Sequence, residues 1–165
     1  LAKNTGRTIQ AGMALYNLAD FKTHLAPGAR LLGLDPGSKR IGVALSDVNR
    51  QIASPYATLA RAKMKQNAAE IAAIVAREGV GGLVVGLPLD AEQKLGPRAQ
   101  AARDWAHGMS AATGLPVAMV DESYTTAETH ERLIEAGMSR ARRDEIIDKL
   151  AAQAILQKAL DALRG

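Results

Sequence analysis

The chain has 165 residues, the size of one globular domain, and a hydrophobic content of 47% excludes global disorder. It holds no cysteine, which rules out disulfide scaffolds, thiolate zinc sites, iron–sulfur clusters and cysteine nucleophiles and points to a cytoplasmic setting. Its 21 basic and 17 acidic side chains leave a net charge of +4 that permits a polyanionic partner, while 3% aromatic residues argue against aromatic stacking platforms, so phosphates would carry any nucleic-acid contact.

Residues 1–29 read as an extension laid on the domain, with a short helix through Leu15, Leu18 and Phe21 and a turn at Pro27-Gly28. Three β-like runs follow, Arg30 to Asp35, Arg40 to Ser46 and Ile52 to Leu59, separated by the turns Pro36-Gly37-Ser38 and Asp47-Val48-Asn49. Turns this short predict antiparallel neighbours. Pro55 assigns the third run to a sheet edge, because proline cannot donate to a ladder. From Met64 the period becomes helical, with Ala68, Ile71, Ala72 and Val75 on one stripe and Gly79 placed to end the helix. Gly82 to Gly86 is short, apolar and partly β-branched, as in a strand buried on both faces.

After a loop from Leu87 to Gly96, Pro97 starts a helix through Ala102, Trp105, Ala106 and Met109 that ends at Gly114. Trp105 is expected in the core. Val117 to Val120 is another buried strand, and Thr125 to Glu128 offers a capping box for a helix ending near Gly137. A last helix runs from about Ala141 to Leu163. The order is a meander followed by two α/β crossovers, so the sheet is mixed. The most apolar run, Val80 to Leu89, is far shorter than the ~20 residues of a membrane span, and the N-terminal residues lack a signal-peptide pattern.

Charge is unevenly distributed: residues 1–65 carry +7 and residues 66–165 carry −3. Three acidic positions fall where ligands of α/β sheets gather, beyond the carboxyl ends of parallel strands. Asp35 ends the first strand and Asp121-Glu122 end the last. Asp148 shares a largely apolar helical stripe with Ala151, Ala152 and Ile155, where a carboxylate is costly to desolvate without a cation. Each acid has a plain alternative: a turn former at Asp35, a helix-dipole partner at Asp121-Glu122, a solvated helix residue at Asp148. Together, without cysteine or histidine ligands, they describe an oxygen-only site suited to Mg²⁺ or Mn²⁺ rather than zinc. His24, His107 and His130 lack metal-binding spacing, and Val43 stands where a P-loop lysine would be, so neither chemistry is supported.

Four segments in order, Gly33 to Ala44, Val85 to Leu89, Asp121 to Thr126 and Asp148 to Ala152 with Ile155-Leu156, resemble the YqgF (RuvX) family over about residues 30 to 160. Its members are ribonuclease H-like proteins, related to Holliday-junction resolvases and assigned to maturation of the 5′ end of pre-16S rRNA. The resemblance implies an α/β ribonuclease H-like fold with a mixed five-stranded sheet in the order 3-2-1-4-5 and helices on both faces, spanning residues 30–165. It also implies an acidic triad of Asp35, Glu122 and Asp148. The strand period alone leaves Asp121 and Glu122 open as the inward carboxylate, and similarity favours Glu122. The chain departs from the family at Ser123, where arginine is usual, at Asp90, where asparagine is common, and in residues 1–29, which the shortest members lack.

The mechanism expected from this resemblance is two-metal phosphodiester hydrolysis with Asp35, Glu122 and Asp148 as ligands. Lys39 and Arg40, then Arg98, Arg140, Arg142 and Arg143, are the candidate phosphate contacts. The expected partner is pre-rRNA, with structured DNA as the alternative and no membrane, acting as a monomer or homodimer. A junction-resolving DNA nuclease and a non-catalytic RNA-binding assembly factor are the rivals. An actin-like phosphotransferase would need two such domains, which this length does not supply.

Overall fold

A computed structural model of the chain describes residues 15–88, 96–122 and 132–164, with Glu122 described in its backbone only. The capping box at Thr125 to Glu128, Asp90, Ser123 and His130 lie outside the described residues. The elements are β1 (Leu15–Tyr16), α1 (Leu18–Thr23), β2 (Arg30–Pro36), β3 (Arg40–Ser46), β4 (Ala53–Ala60), α2 (Met64–Glu78), β5 (Val80–Pro88), α3 (Pro97–Thr113), β6 (Val117–Glu122) and α4 (Arg140–Arg164). Among the described residues no helix is long and apolar enough to cross a membrane.

The strands form one sheet in the order β1-β6-β5-β2-β3-β4. Counted from Arg30, five strands follow the expected 3-2-1-4-5, with β2, β5 and β6 parallel, β3 antiparallel to β2 and β4 antiparallel to β3. The expectation of five strands is corrected by β1, which pairs parallel to β6 through Leu15↔Val117 and Tyr16↔Ala118. Leu15 is therefore in a strand and not in the N-terminal helix. Asn17 is the reason: its extended backbone breaks the chain there, and its side chain accepts the Asp20 amide at 2.9 Å to start α1 at Leu18. Phe21 of that helix is fully buried, so this part of the extension joins the core.

Pro55 sits on the edge strand β4, as its missing amide requires, and the β3–β4 register shifts between Val43 and Ala44, opposite Pro55. The predicted stripe of α2 is corrected at Ala72, which is exposed; Asn67, Ala68, Ile71 and Ile74 are the buried positions. Ala72 follows Ile71 by one residue, about 100° around the helix and off the buried arc. Gly79 ends α2 at φ 68°, a left-handed conformation that favours glycine.

The sheet's two faces follow the pleat. Leu32, Leu34, Val85 and Val117 pack under α2 and α3 with Ile71, Trp105 and Met109. Leu31, Val84, Ala118 and Val120 pack under α4 with Ala152, Ile155, Leu156 and Leu160. Leu31, Leu32 and Leu34 thus divide between two cores, which explains why the middle of β2 carries no polar side chain.

The β3–β4 hairpin is tied by Asp47, whose Oδ1 accepts the amides of Gln51 and Ile52, each at 2.8 Å. These backbone amides, Ile52 first, hold its carboxyl below the usual aspartate range. A carboxyl lowered on folding stabilises the fold above its unfolded pKa and loses that contribution as pH falls through the folded value. Asp47→Ala should therefore cost about 1 kcal/mol at pH 7, with the difference from the unmodified chain shrinking in acid melts. A gap independent of pH would contradict this.

Candidate active site

Asp35 is placed by the sheet. It lies near the carboxyl end of β2, flanked by β3 and β5, and pairs across the antiparallel ladder with Gly42. Because β2, β5 and β6 run parallel, with Leu34 level with Val85 and Val85 level with Met119, Asp35 and the end of β6 share one edge of the sheet. Glu122 closes β6 opposite Pro88, and its side chain is outside the described residues.

Asp148 reaches the same edge through helix packing. Ala151, Ala152 and Ile155 bury the stripe below it, while Asp148 keeps 23% of its side chain exposed. α4 rides directly on β3 at Gly42: a Cβ there would stand 1.9 Å from the Asp148 carbonyl oxygen and 2.5 Å from its carbonyl carbon. Only glycine lets the two backbones approach this closely. The residue paired with Asp35 is thus the one against which the Asp148 backbone packs.

Arg40 sits between the helix and the strand edge. Its Nε donates to Asp148 Oδ2 at 2.5 Å, and its Nη2 lies 3.8 Å from Asp144 Oδ2. The hydrogen bond to Asp148 raises the guanidinium pKa further, and the nearby carboxylates act in the same direction. Arg40, a candidate phosphate contact from sequence, is engaged by protein carboxylates here. Asp144 is a site residue that sequence reasoning missed; its spacing of four from Asp148 on one helix was the available signal.

Asp121 is drawn elsewhere. It is half exposed and its Oδ1 accepts Lys158 Nζ at 3.0 Å. Lys158 lies ten residues beyond Asp148 on α4, about 15 Å along the helix. Among the described residues no three His, Asp or Glu side chains gather at metal-binding range.

The remaining sequence candidates are spread along the neighbouring surface. Lys39 is exposed in the β2–β3 turn. Arg98 is exposed in the first turn of α3 and lines a cleft with Pro36, Gly37 and Ser38. Arg140, Arg142 and Arg143 open α4, where the Arg142 amide donates to Ser139 Oγ at 3.3 Å and Arg143 Nη1 to the Met138 carbonyl at 3.4 Å. Three arginines in a first turn oppose the helix dipole, so this end of α4 favours an anion.

Comparison with known proteins agrees with this architecture. The family model described as "RuvX: Holliday junction resolvase" matches residues 29–162. A protein of Acidiphilium cryptum named "Putative pre-16S rRNA nuclease" is 51% identical over 151 residues, covering 92% of this chain and 96% of its own length. One of the same name from Gluconacetobacter diazotrophicus is 54% identical over 151 residues, covering 91% and 98%. The solved structure of T. thermophilus RuvC in complex with a Holliday junction substrate shares the fold, with a TM-score of 0.51 at 18% identity, covering 83% of this chain and 96% of that one. With four-fifths of its length matched by the family model and relatives above half identity, this chain belongs to the RuvX family.

Proposed function

We propose that this chain is a metal-dependent nuclease that hydrolyses phosphodiester bonds, with the 5′ region of pre-16S rRNA as its substrate and the cytoplasm as its setting. The observation that carries the proposal is the packing of Asp148 on Gly42, the strand partner of Asp35, at the sheet edge where β6 also ends. The name shared by the close relatives supports the choice of substrate.

Asp35, Glu122 and Asp148 are the proposed catalytic carboxylates. One feature favours Glu122 over Asp121: Asp121 is engaged by Lys158. The donors are all oxygen and Asp148 already takes a cationic partner in Arg40, so the set fits Mg²⁺ or Mn²⁺. When bound, such ions supply a water of lowered pKa and neutralise charge developing on the phosphate.

The chain's own contribution is positional. Asp35 is held on an inner strand and Asp148 on a helix seated by backbone contact, so neither carboxylate depends on a loop for its place. Arg40 screens the charges of Asp148 and Asp144. Lys39, Arg98, Arg140, Arg142 and Arg143 supply phosphate contacts around that edge.

Since Arg40 competes with an ion for Asp148, Arg40→Ala is expected to tighten Mn²⁺ binding about twofold to fivefold, the yield of removing a partly exposed ion pair. Calorimetric titration checks this; weaker binding in the variant would contradict the competition. A junction-resolving DNA nuclease using the same carboxylates is the second reading, favoured by the family's description. Incubation with a pre-16S rRNA leader, single-stranded RNA, duplex DNA and a four-way junction, each with Mg²⁺, Mn²⁺ or EDTA, separates them. Cleavage of the leader first supports the proposal, cleavage of the junction first supports the second reading, and binding of RNA without cleavage supports an assembly factor.

A further inference from the structure

On the α2–α3 side of the same sheet edge, a cleft of about 400 Å³ opens between the β2–β3 turn, the end of β5 and the first turns of α3. Its walls include Pro36, Ser38, Pro88 and Trp105, and Arg61 and Arg98 both line it. Arg61 is fixed there. Its Nη1 donates to the Gly37 carbonyl at 2.6 Å, its amide donates to the Lys39 carbonyl at 2.9 Å, and its Cζ stands 5.8 Å from the Trp105 ring centroid. Among the described residues no carboxylate forms an ion pair with either arginine, whereas Arg30, Arg77 and Arg164 each have one and Arg40 has two.

Two like charges lining one concave site, with no counter-charge paired to them among the described residues, raise the free energy of the empty protein and lower that of an anion complex. The apolar walls add a second requirement, since an inorganic anion would leave the partly exposed Pro36 and Pro88 without an apolar partner. A nucleotide answers both: its phosphate pairs with the guanidiniums and its base lies against the apolar wall or the Arg61 plane. The turn that forms the cleft begins at the residue after Asp35, so a strand entering it passes the acidic edge.

We infer that this cleft is a nucleotide-binding pocket of the substrate path, with Arg61 and Arg98 as its phosphate contacts, and that it takes a nucleotide flanking the cleaved bond. This rests on the nuclease reading above for its substrate, but it is testable without cleavage. Trp105 is the only tryptophan of the chain and lines the cleft, so its emission arises from one residue in the cleft wall.

The test titrates a 5′-phosphorylated RNA tetranucleotide, and inorganic phosphate in parallel, into the full chain in EDTA while following Trp105 fluorescence. The expected result is a saturable change with the tetranucleotide, at least tenfold tighter than with phosphate, retained in Asp148→Asn and weakened at least tenfold in both Arg61→Gln and Arg98→Gln. Arg98 makes no hydrogen bond that holds the turn, so its variant separates lost contact from a loosened turn; thermal melts accompany both. No fluorescence change, or undiminished affinity in both arginine variants, would overturn the pocket. Equal affinity for phosphate would replace it with a simple anion site. If the pocket fails while Asp148-dependent cleavage persists, the nuclease reading stands without it. If the pocket binds and no substrate is cut, the nuclease reading fails and the pocket remains.

Discussion

Asp35→Asn is expected to reduce cleavage of the pre-16S rRNA leader about 10³-fold or more while leaving a folded chain. The substitution keeps the size and shape of the side chain and removes one anionic oxygen ligand from a proposed site built entirely of such ligands. A thousandfold loss corresponds to about 4 kcal/mol of transition-state stabilisation. Because Asp35, Glu122 and Asp148 are proposed to act as a unit, the double variant with Asp148→Asn should be scarcely worse than either single one. Steady-state rates with saturating Mg²⁺ check both statements, and a loss below tenfold in Asp35→Asn would remove it from the catalytic set.

Gly42→Ala has the largest structural consequence expected of one methyl group in this chain. The added carbon would meet the Asp148 carbonyl at 1.9 Å, and backbone cannot step aside as a flexible side chain can. α4 would have to lift from β3 just where it carries Asp148. A cost of about 1–3 kcal/mol follows from comparable overpacking, equivalent to a fall of roughly 2–12 °C in melting temperature for a domain of this size. Activity should fall further than stability, about 10²-fold at temperatures where the variant is folded, because displacement of a catalytic group by about 1 Å carries that penalty. Gly33→Ala is the matched comparison. Its Cβ would stand 2.6 Å from Leu156 Cβ and 3.0 Å from the Ala152 carbonyl, so it also disturbs α4, but eight residues and about 12 Å along the helix from Asp148 at the closer contact. Similar melting losses with unequal activity losses would identify Gly42 as the residue that seats Asp148.

Much of this architecture was legible in the residues. The strand bounds of β3 and the starts of α2 and α3 follow from turn residues and proline placement, and the parallel inner strands follow from crossovers that only helices of this length can make. The edge position of β4 was written in Pro55. Leu15–Tyr16 was not legible as a strand, because two residues carry no period and their pairing partner lies a hundred positions away. At the proposed site, Asp35 and Asp148 could be singled out by position, yet nothing local announces that α4 packs at Asp148 on Gly42, the strand partner of Asp35; the close approach of two backbones is a tertiary fact. The same holds for Arg40, whose ion pairs with Asp148 and Asp144 form only once α4 is in place. Arg61 gave no signal at all, since only the fold carries it to Trp105 and Arg98.

The central claim is that Asp35, Glu122 and Asp148 form one divalent-cation site at the sheet edge, and calorimetric titration of Mn²⁺ into the unmodified chain, Asp35→Asn, Glu122→Gln and Asp148→Asn tests it without recourse to a substrate. Binding to the unmodified chain, weakened at least tenfold in each of the three variants, is the predicted result. Undiminished Mn²⁺ affinity in all three variants would contradict it.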